Sequence, residues 1–156
     1  MPDRAIRRRV LSQNFLVDHR AIDALVDGSG VGDGDLVLDI GAGNGLISTA
    51  LARRGAQVQA IERDPALAER LRAKFATWPS VTVVEADVLA MPLPAESFRV
   101  VANIPFGITT DILHHLLDGS AGHGIASTSA STTVTDGQVA NLARSRSASP
   151  GSRSIA

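Results

Sequence analysis

The 156-residue sequence has no cysteine and no tyrosine. The lack of cysteine excludes disulfides, thiolate metal sites and cysteine nucleophiles. Aromatic residues are few, one Trp and four Phe, so a wall of stacking platforms for single-stranded nucleic acid is not available. Lysine is nearly absent as well: arginine outnumbers it fourteen to one, a bias of coding composition that carries no functional message. No apolar run reaches the roughly 18 residues that suggest a membrane-spanning helix. The first twenty residues are basic but lack the apolar stretch of a secretory signal. The cytoplasm is therefore the expected compartment.

What is present is the composition of a globular protein, with 44% hydrophobic and 20% charged residues. Those averages combine two unlike parts. Up to about residue 118 the chain alternates apolar runs with charges. From Gly119 onward Ser, Ala, Gly and Thr dominate, with one acid, Asp136, and three arginines. The expected organisation is a basic arm over 1–18, an α/β region over 19–118 and a tail over 119–156 without regular structure.

Within the α/β region, Asp18 can cap a helix bearing Ile22, Leu25 and Val26 at helical spacing. Gly28-Ser29-Gly30 stops it. Leu36–Ile40 reads as a buried strand, followed at once by Gly41-Ala42-Gly43-Asn44-Gly45 and a helix from Leu46 to Arg54. The pattern then recurs: a strand over Gln57–Ile61, a helix opened by Pro65 and running to Phe75, and a strand over Val81–Val84. A fourth strand spans Phe98–Ala102, and a helix covers Thr110–Leu117. Such alternation predicts a parallel sheet with right-handed crossovers, whose ligands lie at the carboxyl ends of the strands. The unusual residue clusters fall at those ends.

Gly41, Gly43 and Gly45 allow positive φ and close approach of a ligand to the backbone, while the following helix presents its N–H groups. The spacing is G-x-G-x-G, since Leu46 stands where a dinucleotide fingerprint needs its last glycine. That favours a nucleoside without a pyrophosphate. A plain tight turn is the alternative. Glu62 ends the second strand about 20 residues on, where an acid can grip ribose hydroxyls. Asp87 follows the third strand, where a carboxylate can accept from an adenine amino group. Glycine loop, acid and acid after three successive strands point to S-adenosylmethionine.

Asn103-Ile104-Pro105-Phe106 follows the fourth strand. An exocyclic aromatic amine is a poor nucleophile because its lone pair conjugates with the ring. A side-chain amide oxygen and a backbone carbonyl can accept both amine protons and favour a pyramidal nitrogen. Pro105 fixes the turn and Phe106 can stack on the base. The methyl then passes in line from the sulfonium, with positioning supplying much of the effect. His114 and His115 are adjacent on a helix and cannot share a face, so they read as structural rather than as metal ligands. No metal is expected. The Arg7-Arg8-Arg9 run suits RNA phosphates, or is simply a solvated face.

With these motifs, residues 1–118 resemble the Erm family, the ribosomal RNA adenine N6-methyltransferases that confer resistance to macrolides, lincosamides and streptogramin B. The matching elements are the arginine arm, Gln13-Asn14-Phe15-Leu16, Asp39-Ile-Gly-Ala-Gly-Asn-Gly45, Glu62, Asp87 and Asn103-Ile-Pro-Phe106. The housekeeping family that dimethylates adenines of small-subunit RNA shares most of them. The resemblance implies a Rossmann-like S-adenosylmethionine-dependent methyltransferase fold. Gln13, Asn14, Leu16, Gly41, Gly43, Gly45, Glu62, Asp87 and Asn103 would bind the cofactor. Asn103 and Phe106 would position the target base, an unpaired adenine of 23S rRNA.

Family members have a seven-stranded sheet and a helical domain, whereas the pattern here ends after four strands. The expectation is a C-terminally truncated or frameshifted member with an incomplete parallel sheet and an open edge at its fourth strand, unless the tail covers it. Such a chain would be marginally stable and weakly active or inactive. The alternatives are an inactive cofactor- or RNA-binding fragment, a housekeeping small-subunit dimethylase and a small-molecule methyltransferase. Asn-Ile-Pro-Phe speaks against the last, because it suits a planar amine.

Overall fold

A computed structural model describes residues 18–104, 106–121, 125–135 and 138–147. Helix α1 spans His19–Gly28. Strand β1 (Leu36–Ile40) is followed by α2 (Leu46–Arg53), β2 (Gln57–Glu62), α3 (Pro65–Lys74) and β3 (Val81–Glu85). Strand β4 (Arg99–Asn103), α4 (Phe106–Ala121), β5 (Ile125–Thr135) and β6 (Gln138–Ser147) complete the order. The helix starts follow from local chemistry. Asp18 caps α1 by accepting from the Arg20 amide, and Asp64 caps α3 by accepting from the Ala66 and Leu67 amides, with Pro65 in the first turn.

The six strands lie in the order β3-β2-β1-β4-β6-β5. β1 runs parallel to β2 and β4, and β2 runs parallel to β3. The chain winds outward from β1 to β3 and then returns to lay β4 on the other side of β1. The order therefore reverses between β1 and β4, which opens a crevice at the carboxyl ends of those two strands.

Two apolar layers sandwich the sheet. On one face Ile22, Val26, Ile47, Leu51, Leu71 and Phe75 from the helices cover Val37, Val58 and Val101. On the other, Ile112 and Leu116 of α4 cover Leu38, Ile40, Ile61 and Val100. The helix-free crossover from β3 to β4 adds Val88 and Phe98 to this second layer. At the amino ends of the strands, Arg99 ties the layers laterally. Its guanidinium lies 3.0 Å from Asp35 Oδ2 and donates to the Ser29 carbonyl at 3.0 Å.

Beyond residue 118, where a tail without regular structure is expected, the described residues add to the sheet. α4 continues to Ala121, and β5 and β6 form an antiparallel hairpin whose β6 strand pairs antiparallel with β4, Leu142 opposite Val101. The sheet is thus mixed rather than purely parallel, and β4 is not an open edge. The physical reason is the row of N–H and C=O groups that β4 offers on its free side.

Candidate functional site

The glycine loop is held from below. The Gly41 and Ala42 amides both donate to the Ile61 carbonyl, at 2.8 and 3.0 Å, and the Gly45 amide closes a turn onto the Ala42 carbonyl. Gly41, Gly43 and Gly45 all have positive φ, at 72°, 54° and 75°. They differ in what surrounds them. A Cβ on Gly45 would come within 2.8 Å of Leu71 Cδ2 and 2.9 Å of the Phe75 ring, so this glycine allows α3 to pack against the loop. A Cβ on Gly41 would meet nothing within 4 Å, so the backbone there is open to an approaching ligand.

Glu62, at the end of β2, is buried at 8% exposure. Its two oxygens are divided. Oε2 accepts from the Gly43 amide at 3.0 Å and Oε1 from the Asp64 amide at 3.0 Å. The acid that sequence spacing assigned to a ribose braces the loop. Asp87 follows β3 and is exposed, its Oδ1 accepting from the Leu89 amide at 3.0 Å. Asn103 ends β4, half-buried, next to the buried Ile104. The four strand ends β3, β2, β1 and β4 are consecutive in the sheet, so Asp87, Glu62, the glycine loop and Asn103 line one edge of it. Phe106 opens α4, just beyond β4. Gln13, Asn14, Leu16 and the arginine arm lie outside the described residues, as does Pro105.

Two residues were not singled out from the sequence. Asp39 is 1% exposed inside β1, and the Ser48 hydroxyl of α2 donates to its Oδ2 at 2.6 Å. Its Oδ1 has no hydrogen-bond partner among the described residues. Burial pushes the Asp39 carboxyl up to about 7, against the pull of Ser48 and with a further push from the charge of Glu62. A sequence signal existed: an ionisable residue in the apolar run Leu36–Ile40, nine residues before a serine on the buried face of α2. Lys74 reaches across from α3, its Nζ donating to the Asn44 carbonyl at 2.9 Å. Burial and the nearby Arg53 lower its pKa. His115 places its Nε2 3.3 Å from the Met91 carbonyl, and His114 is exposed.

Comparison with known proteins gives a consistent picture. The profile of the ribosomal RNA adenine dimethylase family matches residues 5–154. An rRNA methyltransferase of Streptomyces thermotolerans is 45% identical over 112 residues, 72% of this chain and 38% of that protein. A ribosomal RNA small subunit methyltransferase A of Acidobacterium capsulatum is 43% identical over 112 residues, 69% of this chain and 40% of that protein. The chain thus spans about two fifths of the length of the curated relatives it matches. The solved 23S rRNA methyltransferase ErmE superposes with a TM-score of 0.70 at 28% identity, over 88% of this chain and 71% of that one. A dimethyladenosine transferase from Plasmodium falciparum, with a TM-score of 0.63 at 13% identity, shares the fold.

Proposed function

Because the chain belongs to the ribosomal RNA adenine dimethylase family, we propose that it is built to methylate N6 of an adenine in ribosomal RNA from S-adenosylmethionine. The observation that carries this reading is the junction of the glycine loop with Glu62, set beside Asn103 at the point where strand order reverses. The residues present fit the cofactor. The backbone at Gly41 is open to a close-lying ligand, Glu62 at the end of β2 is the acid proposed for the ribose hydroxyls, and Asp87 offers an exposed carboxylate for an adenine amine. Gln13, Asn14 and Leu16 are assigned to closing this site from the resemblance.

S-adenosylmethionine supplies an electrophilic methyl on a sulfonium. The protein's part is positioning. Asn103 would accept one proton of the target amine through its amide oxygen, and the backbone carbonyl that follows would accept the other. The nitrogen lone pair is then released from conjugation and aimed at the methyl. Phe106 is proposed to stack on the base. The amine proton lost on transfer passes to solvent through these acceptors.

The finer substrate proposed is 23S rRNA, the type that underlies resistance to macrolides, lincosamides and streptogramin B. It is supported by the similarity to ErmE and to the Streptomyces rRNA methyltransferase. A small-subunit RNA substrate is the second reading, favoured by relatives named ribosomal RNA small subunit methyltransferase A. A ribosomal RNA substrate implies the cytoplasm as compartment. Purified chain incubated with methyl-labelled cofactor and naked 23S or 16S RNA tests both. Label in 23S adenine supports the first reading and label in 16S the second. Binding without label would make the chain a cofactor- or RNA-binding fragment.

A further inference from the structure

Asp39 is buried in β1 two residues before the loop that opens the site, and the methyl transfer proposed above does not use it. The face of the sheet on which it lies is covered by α1, α2 and α3, whose buried groups there (Ile22, Val26, Ile47, Leu51 and Leu71 among them) carry no charge. Its lateral neighbours in the sheet, Ala60 on β2 and Val101 on β4, are also uncharged. From α2 comes the Ser48 hydroxyl, on Oδ2, while Oδ1 has no partner among the described residues. From β2 comes the charge of Glu62, which has the same sign and opposes ionisation. No described cation offsets the two acids. A carboxyl so placed, half satisfied and without a counter-ion, is stable as the neutral acid. A positive charge arriving above the loop would reverse that preference, since charges act on one another strongly where water is excluded.

We propose that Asp39 is a positioning residue that senses the charge of the cofactor, holding its proton while the site is empty and giving it up when positively charged S-adenosylmethionine settles over the glycine loop. The inference rests on the cofactor reading above. In the step, the O–H bond of the carboxyl breaks, its electron pair stays on oxygen and the proton leaves to bulk solvent. The ionised Asp39 then attracts the sulfonium through the loop and keeps its grip on Ser48, which steadies the start of α2. Gly45 gives that helix no side-chain cap of its own. When the spent product occupies the site, its sulfur is a neutral thioether, and Asp39 takes a proton back. The pair Asp39–Ser48 would thus favour the charged cofactor over its product. The free carboxyl titrates near 7, so the exchange falls within an accessible range.

The test is isothermal titration calorimetry of the full chain with S-adenosylmethionine and with S-adenosylhomocysteine, at pH 6 and pH 8. Each pH uses buffers of different ionisation heat, which counts protons released. Both ligands carry the same amine and carboxylate, so the difference between them isolates the sulfonium. S-adenosylmethionine should release close to one proton at pH 6 and little at pH 8. It should bind about threefold to tenfold more tightly at pH 8, since one linked proton gives at most a tenfold change per pH unit. S-adenosylhomocysteine should show well under half of both effects. Asp39→Asn should abolish the difference. Ser48→Ala, which removes a hydrogen bond that lowers the Asp39 pKa, should move the midpoint of the effect to higher pH, a change that a purely structural role would not produce. Binding of S-adenosylmethionine without proton release, or with equal release in Asp39→Asn, overturns the inference and leaves the cofactor reading standing. Failure of both ligands to bind at either pH overturns the cofactor reading and the inference together.

Discussion

The Gly43 amide donates to Glu62 Oε2 at 3.0 Å, which ties the middle of the glycine loop to the end of the neighbouring strand. One carboxylate therefore shapes the loop and is the one proposed to hold a ribose. Replacing it tests both roles at once. Glu62→Gln keeps an acceptor oxygen for one amide but places an NH₂ against the other, Gly43 or Asp64. Hydrogen bonds to charged groups contribute about 1.5–3 kcal/mol each. The expected outcome is a loss of stability of about 2 kcal/mol and a drop in S-adenosylmethionine affinity of at least tenfold, read by urea denaturation and calorimetry.

Gly45 and Gly41 share a positive φ but should fail in different ways. At Gly45 an added methyl group meets Leu71 and Phe75, so Gly45→Ala carries both backbone strain and overpacking. It should cost about 2–5 kcal/mol, the sum of the two effects. Gly41→Ala carries the strain alone, about 1–2 kcal/mol. It also puts a methyl group into the open space above the loop. Cofactor affinity should fall more than the melting temperature at Gly41, and the melting temperature should fall more at Gly45. Thermal melts set beside calorimetry decide the comparison.

Asp39 gives the chain a pH dependence of stability. Its folded-state pKa, about 7, lies above its ordinary value of 3.8. The native state thus binds the proton more tightly than the unfolded state does. This contribution is fully present below about pH 4 and is lost as pH rises through about 7. A carboxyl held that far above its ordinary value contributes at most about 4 kcal/mol. Asp39→Asn removes the loss. The variant should be more stable than the parent at pH 8, with the gap narrowing as pH falls and closing only below about pH 4, measured by urea midpoints. Equal midpoints at pH 8 would mean that Asp39 is not held as a neutral acid.

Much of this was legible in the sequence because local chemistry and long-range packing agreed. β1 has the bounds that its apolar run announced, and Pro65 and Gly41 to Gly45 mark their elements as expected. Glu62 and Asp87 fall at strand ends because βα alternation allows little else. The brace from Glu62 to Gly43 was hidden, since spacing alone does not show which way a carboxylate turns. Asp39–Ser48 was hidden for the opposite reason: it crosses between two layers that only packing brings together. β5 and β6 have no counterpart in the hydrophobic pattern, because Ser, Thr and Ala carry no apolar period. What orders them is pairing with β4, which is a non-local effect.

Asn103 should separate binding from chemistry. Its proposed acceptor role is exercised on the target amine, so Asn103→Ala should lower turnover about a hundredfold or more, the scale seen when one preorganised hydrogen-bonding group is removed. Cofactor affinity should change less. Single-turnover methylation of RNA at saturating cofactor, set beside calorimetry, reads the two quantities. An equal loss in both would move Asn103 from the transfer step to cofactor binding alone.

The pairing of β6 with β4 makes a prediction that reaches the site. β6 lies between β4 and β5, so its backbone groups serve ladders on both sides. Leu142, whose register partners are Val101 and Ser131, sits in the middle of both. Leu142→Pro removes its N–H and forces its φ, which a central strand does not tolerate. The free edge of β4 is then exposed, and β4 ends in Asn103. Amide hydrogen exchange over Arg99–Asn103 should be slow in the parent chain and at least tenfold faster in the variant, while exchange over β2 and β3 changes little, because local opening follows the contacts that are lost. Fast exchange over β4 in the parent chain would mean that the hairpin does not hold this edge.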